Sequence, residues 1–591
     1  MALSLALRTT IEAWIEDDCD AEAAAELRAL YADSGAAAEA ELVDRFTGTL
    51  EFGTAGLRGV IAAGPNRFNR AVCARATVGL LAYLAQHVPH ARERGVVIGY
   101  DGRRLSLQSA QDTAELVSGA GFRAYVFPDV APTPLTAFAT LDRDAAAGIM
   151  ITASHNPPEY NGYKVYWGNG AQIIPPHDGG IADAIARVGA LREQPRLSRV
   201  DAQARGLLAT LEDDVVQRYL AGVRALLPHP ELPRDITIAY TALHGVGDVL
   251  ARRALAACGF TRVHSVASQA APDGRFPTVA FPNPEEKGAM DRVLALAAQE
   301  SADLVLANDP DADRLAVAIR DRDGQYVRLT GNETGALIGH YLLSEGAQSE
   351  DTRRGERVVM CSIVSSPMLA DVARAHGAHH EFTLTGFKWL ANRAIELQRE
   401  RGARFVFAFE EAIGFSAGTL VRDKDGVSTA ALVADLAAYC LAHGRSVLDE
   451  LELAYRRYGL WLSHQVSVTK KGADGAAHIQ RLMDGVRASL PTCFGAASVL
   501  AVQDLERRQR TSAQGGVEPI ALPQSNVLLF ELTGGHRIMM RPSGTEPKIK
   551  YYFDVRETIA QGEPIAQARA RGQRTIDALV QHFLAVVDAI A

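Results

Sequence analysis

The sequence predicts an α/β protein: three consecutive α/β domains followed by a smaller C-terminal α+β domain. Three observations carry this reading. Apolar strand, helix and strand alternate in three separate stretches, each stretch runs an apolar strand into a polar loop, and the tail abandons that rhythm for a hairpin-like run. At 591 residues the chain is too long for a single core, and length alone suggests roughly four domains.

Residues Ile11 to Asp44 read as alanine-rich amphipathic helices, a preface packing on the first domain, with Trp14, Leu27, Leu30 and Leu42 as candidate buried positions. The first block has a strand Val96 to Tyr100, a helix from Ser106 as N-cap to Ser118, a strand Arg123 to Phe127, and the strand Ala147 to Ile151. The second has a strand from Ile236, a His244-Gly245 loop, a helix and a strand to Val266. The helix Ala289 to Ala298 and the strand Leu304 to Ala307 follow. In the third, Val358 to Phe409, three strands are separated by the helices Pro367 to His376 and Lys388 to Arg399. Such alternation implies mainly parallel sheets covered by helices. The tail has a polar exposed loop, Gln509 to Glu518, a hairpin Asn526 to Met540 turning at Gly534-Gly535, a strand Lys550 to Val555 and a helix Ile565 to Val587.

The polar loops stand where open α/β sheets bind ligands, at the carboxyl ends of strands: Ser154, Asp309 and Glu410. Ser154 follows an apolar strand and precedes Pro157-Pro158, which bar helix, so its hydroxyl is held in a rigid loop and can carry a phosphoryl group. Asn161, Gly162 and Lys164 then place an amide, a flexible glycine and a cation nearby. Asp309, Asp311 and Asp313 alternate, project to one side of an extended segment, and suit a hard cation such as Mg²⁺. Without one, each close pair of like charges would cost about 4 kcal/mol at ~4 Å near a protein surface. An EF-hand fails, because Arg314 stands where that loop needs glycine and Arg320 where it needs glutamate. Arg541, Ser543, Gly544, Thr545 and Lys548 form a candidate cradle for a dianionic phosphate.

Several classes drop out. There is no Walker spacing for a nucleotide triphosphatase, and Gly245-Val246-Gly247 is too short for a dinucleotide fingerprint. A net charge of −9 argues against nucleic acid or an anionic membrane as partner, while local cations such as Arg58, Lys164 and Arg541 still suit anionic sugars. Apolar content of 48% and charged content of 22% are those of a globular protein. Cys19, Cys73, Cys258, Cys361, Cys440 and Cys493 lack metal-ligand or disulfide spacing, which predicts reduced thiols. No signal peptide and no membrane span of ~20 apolar residues is expected, so the expected location is the cytoplasm.

Six motifs in order, Phe52 to Gly59, Thr152 to Lys164, Asp309 to Arg314, Thr385 to Trp389, Phe409 to Gly414 and Arg541 to Lys548, resemble the α-D-phosphohexomutase superfamily. Asn332-Glu333, Glu410-Glu411-Ala412-Ile413-Gly414 and Asp423-Lys424-Asp425-Gly426 are most similar to its phosphoglucomutase branch that includes phosphopentomutases and sugar-bisphosphate synthases. Two positions depart from relatives: Ala412 stands where many have serine, and Gly414 where bacterial glucose/mannose enzymes have histidine.

The resemblance implies domains with mixed sheets around a central cleft, divided as a helical extension 1–45 and domains 46–205, 206–325, 326–455 and 456–591, with one active-site loop from each domain. It implies that Ser154 is the phosphoserine, that Asp309, Asp311 and Asp313 bind Mg²⁺ together with a phosphoserine oxygen, and that Arg58, Lys164 and Arg314 stabilise the moving phosphoryl group. Lys164 is a candidate acid/base; His155 orients the loop, shuttles a proton or makes a structural hydrogen bond. Glu410 grips sugar hydroxyls with Thr385, Gly386 and Lys388, Lys424 joins the substrate contacts, and Arg541, Ser543, Gly544 and Thr545 hold the phosphate that is not reacting.

The function so implied is a phospho-sugar mutase interconverting sugar 1- and 6-phosphates through a bisphosphate, with glucose first and phosphopentomutase or phosphomannomutase as alternatives. Glucose 1,6-bisphosphate is the expected activator, and the expected state is a monomer or weak homodimer that binds phosphorylated sugars. Two other classes stay open: a phosphatase with Asp309 as nucleophile, and a non-catalytic sugar-phosphate sensor.

Overall fold

The computed structural model describes residues 3–53, 56–346, 355–470, 473–543 and 548–590. They gather into two compact units. The first holds the chain up to Leu329 together with Phe387–Glu396 and Ala412–His443; the second holds Thr330–Gly386, Leu397–Glu411 and the chain from Gly444 onward.

The first unit begins with helices Leu5–Asp17, Ala21–Ala32 and Ala36–Phe46. Ser4 and Asp20 cap the first two by accepting from the Leu7 and Glu22 amides. Ile11, Leu27 and Leu42 are buried among these helices, while Trp14 and Leu30 are only partly covered. The preface is tied to the first α/β layer. Arg75, on helix Arg70–His87, donates to Asp17 Oδ2 at 2.7 Å and lies 5.3 Å from the Trp14 ring centre.

The first sheet runs Gly56–Val60, Tyr160–Trp167, Ala147–Ile151, Val96–Tyr100, Ala124–Val126, Leu208–Thr210. Its last four strands are parallel and its first two antiparallel additions, so the sheet is mixed. Val96–Tyr100 and Ala147–Ile151 are buried along their whole length, as helix-covered parallel strands must be. One start signal reads differently in the structure. Helix Ser106–Gly119 is preceded by Leu105 in a left-handed conformation, and Ser106 lies inside the helix, donating its hydroxyl to Asp101 Oδ1 at 2.6 Å. The second sheet is also mixed: Ile238–Thr241 sits parallel between Val263–Ser265 and Leu304–Asn308, and Leu315–Arg320 and Tyr326–Arg328 extend it antiparallel.

In the second unit Arg357–Ser362 lies parallel between His379–Thr383 and Arg404–Glu410. The C-terminal domain is β-rich. Strands Leu460–Thr469, Lys548–Glu557, Arg537–Pro542, Leu528–Leu532 and Ala497–Asp504 form an antiparallel sheet, against which Phe583 of helix Ile565–Ile590 packs on Phe494, Tyr551 and Phe553. The stretch expected as an exposed loop is instead an edge hairpin, Gln509–Ser512 with Val517–Pro519. Its outer strand, Val517–Pro519, is exposed throughout, apolar residues included, so no buried face gives it the alternation that marks a strand.

Among the described residues no disulfide joins any of the six cysteines. Among the described residues no single helix is long and apolar enough to cross a membrane.

Candidate active site

Strand Ala147–Ile151 delivers the Ser154 loop. Ser154 has φ 55°, a left-handed conformation uncommon for a residue with a side chain, and its amide donates to Thr152 Oγ1 at 2.9 Å. The hydroxyl faces protein: Ser154 Oγ donates to Asp309 Oδ2 at 2.8 Å and lies 3.1 Å from His155 Nδ1. Return strand Tyr160–Trp167 brings Lys164 alongside, and its neighbour Gly56–Val60 carries Arg58, paired in register with Gly162. Gly162 has no room for a side chain, since a Cβ there would stand 2.6 Å from the Thr152 carbonyl oxygen. Arg58 donates to Asn156 Oδ1 at 3.1 Å.

Strand Leu304–Asn308 delivers the carboxylates. The expected extended segment is a tight turn: the Ala312 amide donates to the Asp309 carbonyl at 2.9 Å and Ala312 has φ 58°. The turn, rather than strand alternation, gathers Asp309, Asp311 and Asp313, whose oxygens lie within 4.8 Å of one another in full burial. Gly245 admits this turn. A Cβ there would meet Pro310 at 2.3 Å, and the adjacent Val246 amide donates to the Pro310 carbonyl at 2.8 Å.

Both oxygens of Asp309 take protein donors, whereas Asp311 and Asp313 each use only one. Asp309 accepts from the Arg314 amide through Oδ1 at 2.9 Å and from Ser154 through Oδ2. Asp311 Oδ2 accepts from Lys164 Nζ and Thr133 Oγ1, both at 2.7 Å. Asp313 Oδ2 lies 2.9 Å from Lys164 Nζ and 3.1 Å from Lys424 Nζ. Asp311 Oδ1 and Asp313 Oδ1 have no hydrogen-bond partner among the described residues. Two orphaned, buried anionic oxygens beside Asp309 Oδ2 and a serine hydroxyl form a set of hard donors, the chemistry that suits Mg²⁺.

The electrostatics follow from that packing. Burial, then the charges of Asp311 and Asp313, push the Asp309 carboxyl well above the ordinary range. Burial opposes ionisation of Asp313 too, but Lys164, Lys424 and Arg314 outweigh it and hold that carboxyl far down; Lys164 helps hold Asp311 down likewise. Burial lowers the Lys164 pKa, but Asp311 and Asp313 outweigh it and raise that pKa above the ordinary lysine value. Burial, with Arg314 and Arg58 nearby, holds His155 neutral by pushing its pKa well down.

Gly414 has a steric explanation. A Cβ there would come within 2.5 Å of Lys424 Cδ, so this side chain fills the space a larger residue would take. Lys424 is held by Asp423 at 3.1 Å, and Asp423 in turn accepts from Tyr166 at 2.7 Å and Gln172 at 2.9 Å. Arg314 donates to the Ala412 carbonyl at 3.3 Å. Lys388 is also in the first unit, buried, with Nζ 5.1 Å from the Trp389 ring centre.

The second unit holds the other expected residues. Gly386, with φ 116°, donates its amide to Glu410 Oε1 at 2.7 Å, so these two expected contacts meet. Thr385 Oγ1 is buried without a hydrogen-bond partner among the described residues. Tyr552 lies beside Glu411, Arg541 and Glu410: burial pushes its phenol up, the two glutamates add to the rise and Arg541 opposes it. The Ser543 amide donates to the Lys548 carbonyl at 2.7 Å. Gly544 and Thr545 lie outside the described residues, as do Thr54 and Ala55.

Two residues in the first unit escaped the sequence reading. Thr133 orients Asp311, and Arg103 binds the carbonyls of the serine loop. Arg103 follows Asp101-Gly102 at the carboxyl end of strand Val96–Tyr100, and the strand-end rule that marked Ser154 and Asp309 marks it equally. Thr133 gives no such signal, because its partner is 178 positions away.

Three consecutive stretches match the alpha/beta/alpha domains I, II and III of phosphoglucomutase/phosphomannomutase, over residues 49–192, 217–324 and 330–458. The chain is 39% identical over 494 residues to a probable phosphomannomutase of Haemophilus influenzae, covering 83% of this chain and 93% of that one. It is 36% identical over 570 residues to the phosphopentomutase of Homo sapiens, covering 92% and 90% of the two chains. Its fold resembles the crystal structure of a phosphomannomutase-like protein of Thermus thermophilus, with TM-score 0.63 at 21% identity over 90% of this chain and 99% of that one. Matches of that extent, to three domains in order, place this chain in the phosphoglucomutase/phosphomannomutase family of the α-D-phosphohexomutase superfamily and make it an intramolecular phosphotransferase.

Proposed function

We propose that the chain interconverts a sugar 1-phosphate and a sugar 6-phosphate, glucose first, with Ser154 as the phosphoryl carrier. The observation that carries the reading is the Ser154 hydroxyl 2.8 Å from Asp309 inside a triad of carboxylates with unspent oxygens. Phosphoserine would give its phosphoryl group to a sugar hydroxyl, breaking its Oγ–P bond as the sugar O–P bond forms. The bisphosphate would turn over, and its other phosphate would return to Ser154. Transfer of this kind depends on positioning and charge compensation more than on new covalent chemistry.

Asp309, Asp311, Asp313 and a phosphoserine oxygen would hold Mg²⁺. The cation, when bound, neutralises the roughly −1.5 to −2 charge of the phosphoserine. Lys164, whose ammonium is held by Asp311 and Asp313 at 2.7 and 2.9 Å, would donate a proton or stabilise charge on the moving group. Arg58 and Arg314 supply further positive charge. His155, kept neutral, serves as hydrogen-bond partner of the serine. Glu410, with Thr385, Gly386, Lys388 and Lys424, is assigned to the sugar. Arg541 and Ser543, with Gly544 and Thr545, are assigned to the second phosphate. Glucose 1,6-bisphosphate is the assigned activator, since it can charge an unphosphorylated Ser154.

A second sugar reading has a specific observation behind it: the match to a phosphopentomutase extends over 570 residues, against 494 for the phosphomannomutase. Assaying glucose, mannose, ribose and N-acetylglucosamine phosphates, with and without glucose 1,6-bisphosphate, ranks these sugars. Highest kcat/KM on glucose 1-phosphate supports the first reading, and highest on ribose phosphate replaces it with the second. Turnover by Ser154→Ala at the native rate contradicts the carrier role.

A further inference from the structure

Ser154 is strained, and a strained residue persists only where its surroundings leave it no alternative. A left-handed φ of 55° on a residue with a side chain costs about 1–3 kcal/mol, and proline at 157 and 158 does not by itself impose it. The Ser154 amide donates one hydrogen bond within the loop, to Thr152 Oγ1. Four carbonyls of the loop turn toward one guanidinium.

That group is Arg103, 4% exposed. Its Nη2 donates to the Ser154 carbonyl at 2.7 Å and to the Asn156 carbonyl, and its Nη1 donates to Pro157 at 2.8 Å and Tyr160 at 3.1 Å. Four backbone acceptors within seven residues thus share one planar fork, a geometry that lysine cannot reproduce. The fork is fixed from behind. The Arg103 amide donates to Asp101 Oδ1 at 3.0 Å, Asp101 Oδ2 lies 3.4 Å from Nε, and Ser106 donates to the same carboxylate. From the side, the Phe276 ring stands 4.8 Å from the guanidinium carbon. Phe276 belongs to the loop after Ala267–Ala270, from the block that also carries the carboxylate turn. This loop is pressed against Arg103 so closely that a Cβ on Gly274 would lie 2.7 Å from Arg103 Cα, and one on Gly102 would lie 2.9 Å from Pro272 Cβ.

We propose that Arg103 is a positioning residue for phosphoryl transfer: seated between Asp101 and Phe276, its guanidinium holds the 154–160 backbone in the strained shape that aims Ser154 Oγ at Asp309. The inference rests on Ser154 as carrier. The hydrogen bonds of the Arg103 guanidinium go to backbone carbonyls of the loop, and through them it acts. Misplacement of a reacting atom by about 1 Å costs on the order of 10²-fold in rate. Loss of the fork therefore lowers the rate of phosphorylation and of turnover, while sugar binding, which uses other loops, stays near native.

The test compares Arg103→Met, Arg103→Lys, Arg103→Ala and Phe276→Leu with the native protein in glucose 1-phosphate turnover with glucose 1,6-bisphosphate, with Ser154→Ala as reference. Expected are a kcat loss of about 10²-fold for Arg103→Met with KM little changed, a smaller loss for Arg103→Lys, and partial rescue of Arg103→Ala by free guanidinium ion. Intact mass should show slower phosphorylation of Ser154 in Arg103→Met, and amide exchange across 154–160 should quicken in Phe276→Leu. Native kcat in Arg103→Met overturns the inference, as does a loss confined to KM. Where Arg103→Met does not fold, Phe276→Leu decides: native kcat with native exchange at 154–160 overturns it. Failure of the carrier reading looks different, because Ser154→Ala then turns over at the native rate.

Discussion

Single side chains at the carboxylate turn divide their work so that every oxygen is either held or left open. Thr133 spends its hydroxyl on Asp311 Oδ2 and so leaves Oδ1 unspent. Removing a group that orients a metal ligand typically weakens metal binding about 10–100-fold. Thr133→Val is therefore expected to raise the Mg²⁺ dissociation constant by about that factor, measured by calorimetric titration, with the fold intact. Unchanged affinity would mean that Asp311 is not a ligand. Gly414 gives a second prediction. Gly414→His must push Lys424 aside, because the new Cβ would sit 2.5 Å from Cδ of that side chain. Since the flexible end of a lysine yields, stability should change little. Turnover should fall as the 3.1 Å contact between Lys424 and Asp313 is lost, and native kcat would show that Lys424 contributes nothing there. The sequence made Ser154, Lys164 and the three aspartates legible because chemistry clustered in local motifs. Thr133 and Phe276 were illegible because their partners lie far away in the chain and each reads locally as an ordinary core or turn residue.

Among the elements, long apolar strands were the easiest to read. Ala147–Ile151 is found at the expected boundaries and Leu304–Asn308 one residue longer, since strands buried on both faces must be apolar throughout. Helix starts and edge strands were harder. Ser106 looks like a cap, but Asp101 captures its hydroxyl. The hairpin Gln509–Ser512 and Val517–Pro519 has no buried face. In the C-terminal sheet a buried ion pair bridges the neighbouring strands Arg537–Pro542 and Lys548–Glu557. Arg537 Nε donates to Asp554 Oδ2 at 2.7 Å, Ser463 donates to the other carboxylate oxygen, and the Arg537 guanidinium also reaches the Ser365 carbonyl and stands 5.3 Å from the Phe382 ring centre. Asp554→Ala leaves that guanidinium buried without its counter-ion, which typically costs about 3–5 kcal/mol. Urea denaturation should register a loss of that size. A change below about 1 kcal/mol would place the pair among those that solvent already screens.

For the molecule as a whole, two histidines in the second unit couple stability to acidity. Burial first, then the nearby Arg537 and His379 charges, lower His380 to about 3, and burial with His340 lowers His376 to about 4. Above about pH 6.5 both are neutral whether the chain is folded or not, so they cost nothing. As pH falls below that value the unfolded chain takes up protons that the folded chain refuses, and stability drops until the folded pKa values are reached. For His380 the slope approaches about 1.4 kcal/mol per pH unit. His380→Asn should flatten the fall in urea midpoint between about pH 7 and about pH 5; an unchanged slope would place that histidine in water. The α/β organisation was legible at this scale from the strand and helix rhythm. The grouping of residues 330–386 and 397–411 with the C-terminal domain was not, because it depends on contacts such as Arg569 with Glu333, distant partners that leave no periodic trace.

In the proposed reaction Ser154, 2.8 Å from Asp309, carries the phosphoryl group. Incubation with isotopically labelled glucose 1,6-bisphosphate, followed by intact mass and peptide fragmentation, tests that role directly. The account predicts one acid-stable phosphoryl group on Ser154, lost to added sugar monophosphate. A hydroxylamine-labile label on Asp309, or no label at all while turnover proceeds, would contradict it.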